Sequence, residues 1–176
     1  MTQYFEFYQL PVSLNIDTAV LKKLFFEKSR NNHPDFFANA SEEIQQKALA
    51  ESTVNNEAYK TLLNPQTRLK HVLHIYGLLA DEDKMALPPD FLMDMMDLNE
   101  EIEMAAEPEG REEVKNKIEA LIADNEQERE QLFEQFDTSP TEGKNNILKQ
   151  LTWVYLKNKY FLRLTQSVST FADPKS

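Results

Sequence analysis

Residues 17–68 read DTAVLKKLFFEKSRNNHPDFFANASEEIQQKALAESTVNNEAYKTLLNPQTR, and this stretch decides how the first half of the chain folds. Asp17 is a good helix N-cap, because its carboxylate can accept backbone N–H groups that lack an intrahelical partner. From there to about Asn32 the periodicity is helical, with Leu21, Leu24, Phe25 and Lys28 on one face. Pro34 stops that helix, since the residue before a proline avoids the α region. A longer helix is predicted from near Ser41 to Asn64. Its start, Ser41-Glu42-Glu43-Ile44, lacks the N3 acid of a capping box. Its inner stripe is Ile44, Ala48, Glu51, Asn55, Ala58 and Leu62. Pro65 opens another helix at its favoured first-turn position. That helix runs through Leu69, Val72, Leu73 and Ile75 and ends at Gly77, a natural C-cap. On the N-terminal side, residues 4–9 make a short helix stopped by Pro11.

Beyond Gly77 the pattern changes. Residues 77–88, with Asp81-Glu82-Asp83 and Pro88-Pro89, are expected to be a linker. Three helical patterns follow, at about 89–106, 109–136 and 141–170, with Ser139-Pro140 breaking the chain between the last two. The first carries Phe91, Met95, Leu98, Ile102 and Ala105. The second carries Val114, Ile118, Leu121, Ile122, Leu132 and Phe136. The third carries Ile147, Leu151, Val154, Asn158, Phe161, Thr165 and Val168. Three amphipathic helices with short connections predict an up-down-up bundle. No run of alternating β-branched residues calls for a sheet, so the expected class is all-α.

Charge divides the chain in the same place. Residues 1–79 hold eight acidic and eight basic side chains; residues 80–176 hold 22 and 11, which accounts for the whole net charge of −11. A neutral half beside an acidic half suggests two modules with different partners. It argues against nucleic acid, which needs a basic footprint. With no cysteine, disulfides, thiolate metal sites and a Cys nucleophile are excluded. The start MTQYFEFYQLP is not a secretory signal, and no apolar stretch would span a bilayer, so the cytoplasm is the expected compartment. His71 and His74 lie one turn apart and could ligate a metal. Without a cysteine or a nearby acidic partner, one packed and one solvated histidine is the reading taken, with no metal and no cofactor expected. The acidic run Glu126-Gln127-Glu128-Arg129-Glu130 is read as a solvated helix face.

The tripeptide His33-Pro34-Asp35 sits in the loop between the two long helices. Proline stiffens the loop, and an imidazole and a carboxylate held there can donate to and accept from a partner. No base–nucleophile constellation surrounds them, so catalysis within the chain is a poor reading. Taken alone, the tripeptide reads equally well as a helix stop.

Its context adds a resemblance. Asn56-Glu57-Ala58-Tyr59-Lys60-Thr61-Leu62-Leu63-Asn64-Pro65-Gln66-Thr67-Arg68 resembles the J-domain signature N-E-A-Y-x-x-L-x-x-P-x-x-R, and Tyr4-Phe5 through Leu10-Pro11 resembles the opening of the same domain. Arg68 to Gly77 is similar to the R-A-x-Y-L-L-x-x-x-G stretch of the HscB-type iron–sulfur-assembly co-chaperones. Phe91-Leu92-Met93 with Glu100-Glu101-Ile102 resembles the F-L-M…E-E-L helix that opens their C-terminal bundle. The resemblance implies a J-domain over 1–76 (an antiparallel pair of long helices with short flanking ones), the linker, and a client-binding three-helix bundle over 89–171. It implies a co-chaperone, with no catalytic centre of its own, that stimulates a DnaK/HscA-type ATPase through His33, Pro34, Asp35, Lys22, Lys23 and Arg30. The client implied is the iron–sulfur cluster scaffold protein; a J-domain co-chaperone for a different client is the alternative. A monomer is the working expectation. The chain departs from the family at Phe36, usually lysine, at Lys28, usually an inward leucine, and at Asn32, usually aromatic. Phe26 and Glu27 occupy positions often basic in other J-domains.

The bundle carries more apolar residues than one core needs. Leu92, Met93, Met96 and Met104 lie off the inner stripe of their helix, with Asp97 and Glu100 among them, at about 100° per residue. Trp153 is about 200° from Leu151, and Trp153, Leu156 and Tyr160 make a second stripe. The two surpluses are expected to adjoin as an exposed patch rimmed by carboxylates, the kind of surface that marks protein contacts. By the resemblance, scaffold binding is carried to Leu92, Met93, Met96, Asp97, Glu100 and Trp153.

Overall fold

The computed structural model describes residues 3–31, 33–37, 39–81, 85, 87–105 and 107–172. The chain forms two compact units divided after Leu78, and the described residues contain no strand. Asn32 and most of the expected 77–88 linker's acidic run lie outside the described residues.

In the first unit, α1 (Gln3–Phe7) is shorter than expected. It ends before Pro11 because Gln9 turns left-handed, at φ 56°. The Gln9 N–H then bonds to the Glu6 carbonyl and the Leu10 N–H to the Phe5 carbonyl, closing the helix with backbone alone. Helix α2 (Thr18–Asn31) starts as its sequence predicts, with Asp17 Oδ1 accepting from the N–H groups of Ala19 (2.8 Å) and Val20 (3.1 Å). A 3₁₀ turn, Pro34–Phe37, precedes α3 (Glu42–Leu63). Ser41 caps α3 without a side-chain bond.

Helices α2 and α3 are antiparallel: Ser29 meets Asn55, and one turn earlier on α2 the Phe25 ring stacks on Tyr59 at 4.3 Å. Asn55 is buried and ties three helices together. It accepts from the Tyr8 hydroxyl at 2.7 Å and donates through Nδ2 to the Phe25 carbonyl and the Ser29 hydroxyl. Ile44, placed on the inner stripe, is exposed; the stripe begins at Ala48.

Asn64 links α3 to α4 (Pro65–Ile75), its Oδ1 accepting from the N–H groups of Gln66 and Thr67. Arg68 is buried on α4, donating through Nε to the Leu14 carbonyl (2.9 Å) and through Nη1 to that of Leu62. Gly77, at φ 72°, ends α4 through the Gly77-to-His74 and Leu78-to-Leu73 bonds.

The second unit is α5 (Pro89–Met104), α6 (Pro108–Thr138) and α7 (Lys144–Ala172), with a 3₁₀ turn at Thr141–Gly143. Met95, Leu98 and Ile102 of α5 close on Val114 and Ile118 of α6 and on Phe161 and Leu164 of α7. Short connections run α6 back along each neighbour, and Lys117 to Glu101 (2.6 Å) and Lys157 to Glu128 (2.6 Å) bridge it to α5 and α7. Helix α5 has 16 residues against 31 in α6. It therefore covers only the part of the α6–α7 hairpin that carries Val114, Ile118, Phe161 and Leu164. Thr165, expected inside, is exposed, and Leu164 is buried in its place. The run at 126–130 is not wholly solvated: Arg129 is largely covered and lies over the Phe133 ring.

Candidate interaction surfaces

The loop and the outer face of α2 form the first surface. The turn at Pro34–Phe37 is closed by the Phe36 N–H bonding to the His33 carbonyl at 3.0 Å. His33 Nδ1 accepts the Asp35 backbone N–H at 3.3 Å. In that tautomer Nε2 carries the ring proton and is left as a donor at the surface. The Asp35 carboxylate lies 3.6 Å from Nδ1, with side-chain exposures of 53% for His33 and 87% for Asp35. So exposed a pair stabilises the turn little, and both groups stay accessible.

Lys22, Lys23 and Arg30 are all exposed on α2. Residues 22, 26 and 30 follow each other four apart, so they form one row along the helix. That row leads from Lys22 through Phe26 to Arg30 and on to the loop. Two shallow depressions flank it. One, of about 450 Å³, is lined by Phe26, Ser29, Arg30, His33, Asp35 and Phe36. The other, of about 540 Å³, is lined by Lys23, Phe26, Glu27, Arg30 and Asn31. The sequence reading treated Phe26 and Phe36 only as departures. The four-residue spacing of Phe26 from Lys22 and Arg30 was the signal that placed it on this face.

Lys28, half-buried on α2, lies over the Phe7 ring, 4.4 Å from the centroid, a favourable cation–π contact. His71 is half-buried and stacked on Tyr4 at 4.7 Å, and His74 is exposed. Burial first, then the neighbouring His74, hold the His71 pKa below its ordinary value, so the ring stays neutral. Among the described residues no group of three His, Cys, Asp or Glu side chains is placed to hold a metal ion.

The second surface is the outer face of α5. Met93 is 65% exposed, Met96 62% and Leu92 37%, and Asp97 and Glu100 are exposed among them. Met104 extends the same face. On α7, Trp153 is 37% exposed, but the expected stripe breaks after it. Leu156 is buried. Tyr160 is half-buried, its ring edge-on to Phe91 and its hydroxyl accepting from Asn99 Nδ2 at 3.2 Å. Both are thus withdrawn from the surface, Tyr160 because α5 crosses α7 there. Trp153 lies two turns, about 10.5 Å of helix axis, before that crossing.

Comparison with known proteins shows similarity over most of the chain. Residues 87–169 match the family model described as the HSCB C-terminal oligomerisation domain. A co-chaperone protein HscB homolog of Vibrio cholerae serotype O1 is 32% identical over 152 residues, 84% of this chain and 77% of the relative. One from Shewanella pealeana is 40% identical over 101 residues, 57% of this chain and 58% of the relative. The crystal structure of human co-chaperone protein HscB shares the fold, with a TM-score of 0.74 over 98% of this chain and 83% of that one, at 23% identity. Chaperone HscB from Vibrio cholerae superposes with a TM-score of 0.65 at 27% identity, over 97% of this chain and 98% of that one. The all-α architecture read from the sequence is the architecture of these structures.

Proposed function

The chain belongs to the HscB family of co-chaperones, and from that premise we propose that it stimulates the ATPase of a DnaK/HscA-type chaperone and brings it the iron–sulfur cluster scaffold protein. The observation that carries the reading is the exposed His33-Pro34-Asp35 turn, held at the end of an antiparallel pair whose inner residues include Asn55, Ala58 and Leu62. His33, Pro34 and Asp35, with Lys22, Lys23 and Arg30, engage the ATPase. The protein has no catalytic centre of its own; it favours the hydrolysis-competent state of its partner. Water attacks the γ-phosphate on that partner, giving ADP and phosphate.

The scaffold is held by Leu92, Met93, Met96, Asp97, Glu100 and Trp153. Apolar thioether side chains among carboxylates suit an adaptable protein contact. Carrying both surfaces on one chain raises the effective concentration of client at the ATPase. The domains proposed are a J-domain over 1–76, a linker over 77–88 and the client-binding bundle over 89–171, working in the cytoplasm.

Single-turnover ATP hydrolysis by the DnaK/HscA-type chaperone, with wild type and with His33→Gln, tests the first half. Stimulation is expected to disappear in the variant; equal stimulation refutes the mechanism. Binding of purified scaffold tests the second half. Met93→Ala and Trp153→Ala are expected to weaken it, whereas no binding by wild type would assign the bundle to a different client.

A further inference from the structure

The outer face of α2 combines charge with exposed aromatic surface. Phe26 is 53% exposed and Phe36 70%. Phe26 stands between Lys22 and Arg30 in the row along α2, and the Phe36 ring lies edge-on to that of His33, with 5.9 Å between centroids. Both rings line the 450 Å³ depression that His33, Asp35 and Arg30 also line. Solvating two phenyl rings on one wall of a depression is unfavourable, and contiguous apolar surface of this kind marks a protein contact. Arg30 borders both depressions and forms no ion pair with a described residue. A partner group entering here therefore meets apolar walls first and a free guanidinium at the edge.

We propose that this depression seats an apolar side chain of the ATPase chaperone, with a neighbouring carboxylate of that chaperone on Arg30, so that Phe26 and Phe36 set affinity while His33 and Asp35 set activation. The proposal rests on the reading of His33-Pro34-Asp35 as the chaperone contact and deepens it. The continuity is direct, because one depression is lined by the loop residues and by both rings. The occupant is a protein side chain: the depression is wide and open, and two of its six lining residues are exposed phenylalanines.

The division of labour separates the two parts in an experiment. Stimulation of single-turnover ATP hydrolysis by the DnaK/HscA-type chaperone is titrated with full-length protein carrying Phe26→Ala, Phe36→Ala or His33→Gln. Each phenylalanine variant is expected to raise the half-saturating concentration about tenfold, equivalent to about 1.4 kcal/mol, and to reach the wild-type plateau. Phe36→Leu, which keeps an apolar group, is expected to recover most of the affinity. Arg30→Gln is expected to flatten the dependence of half-saturation on salt. Thermal melts control for folding, since both rings are exposed and their removal leaves the core intact. Half-saturation within twofold of wild type in both alanine variants, alongside loss of stimulation in His33→Gln, overturns the seat and spares the loop reading. A lowered plateau in Phe36→Ala also overturns it, because Phe36 would then act in activation. Full stimulation by His33→Gln removes the loop reading, and the seat with it.

Discussion

The two units are held together by different means. In the first, buried polar groups bridge separate elements: Tyr8 to Asn55, Asn55 to Phe25 and Ser29, and Arg68 to the carbonyls of Leu14 and Leu62. In the second, the three helices close over an apolar seam of Met95, Leu98, Ile102, Val114, Ile118, Phe161 and Leu164, with single polar bridges from Asn125 to the Val154 carbonyl and from Asn99 to the Tyr160 hydroxyl. Directional bonds select one register between helices, whereas an apolar seam accepts volume-conserving change. The unit that carries His33 and Asp35 on its turn is the one in which a single side chain, Asn55, bonds to Tyr8, Phe25 and Ser29. The unit that offers a broad methionine face is the one that can repack.

Arg68→Met should show the contrast most strongly. It leaves the carbonyls of Leu14 and Leu62 without the guanidinium in a buried site, at a cost of about 3 kcal/mol or more. Urea denaturation reads this directly, and a loss below about 1 kcal/mol would remove the polar frame from the explanation. Asn55→Leu should follow at about 2 kcal/mol, since the Phe25 carbonyl and the Ser29 hydroxyl lose the side-chain amide, while the Tyr8 hydroxyl keeps the backbone carbonyl of residue 55 at 3.0 Å. Its counterpart in the other unit, Met95→Leu, should cost less than about 1.5 kcal/mol. Equal losses from the two leucine variants would dissolve the distinction.

Within the first unit, side-chain caps differ in the same sense. Asn64 and Asp17 accept two backbone N–H bonds each, and Ser41 accepts none. Asn64→Ala should therefore cost about 1 kcal/mol, and Ser41→Ala should stay within about 0.5 kcal/mol, by thermal or urea midpoints.

The weakest contrast is with pH. All three histidines lie in the first unit, and burial lowers the His71 pKa. The unfolded chain then binds a proton that the folded chain refuses. The stability contributed is full above the ordinary histidine pKa of about 6.5 and is lost as pH falls from there through the folded-state value. His71→Phe should be less sensitive than wild type between about pH 7 and pH 5; identical pH profiles would show that His71 takes no part.

Much of the fold is written in short-range signals. Asp17, Pro65 and Gly77 act where they stand, through capping, a fixed φ and a left-handed turn, so their roles could be read locally. The loop tripeptide was equally legible as residues, and its setting was legible through Asn56 to Arg68. What local pattern missed was coverage. Ile44 and Thr165 have helical spacing like that of their buried neighbours, yet both are exposed. Leu156 and Tyr160 continue the helical spacing of Trp153, yet Leu156 is buried and Tyr160 lies under Phe91 and Asn99 of α5.

The sequence by itself determined the helices, their stops and the residues of the loop, because capping, proline geometry and apolar periodicity act over a few residues. Tertiary structure alone decided that Asn55 and Arg68 are buried struts, that α5 spans only part of the α6–α7 hairpin, and that Phe26 and Phe36 share a depression with His33. Each of these depends on which distant segment arrives at a given face, and that is settled by the packing of whole helices rather than by any neighbour in the chain.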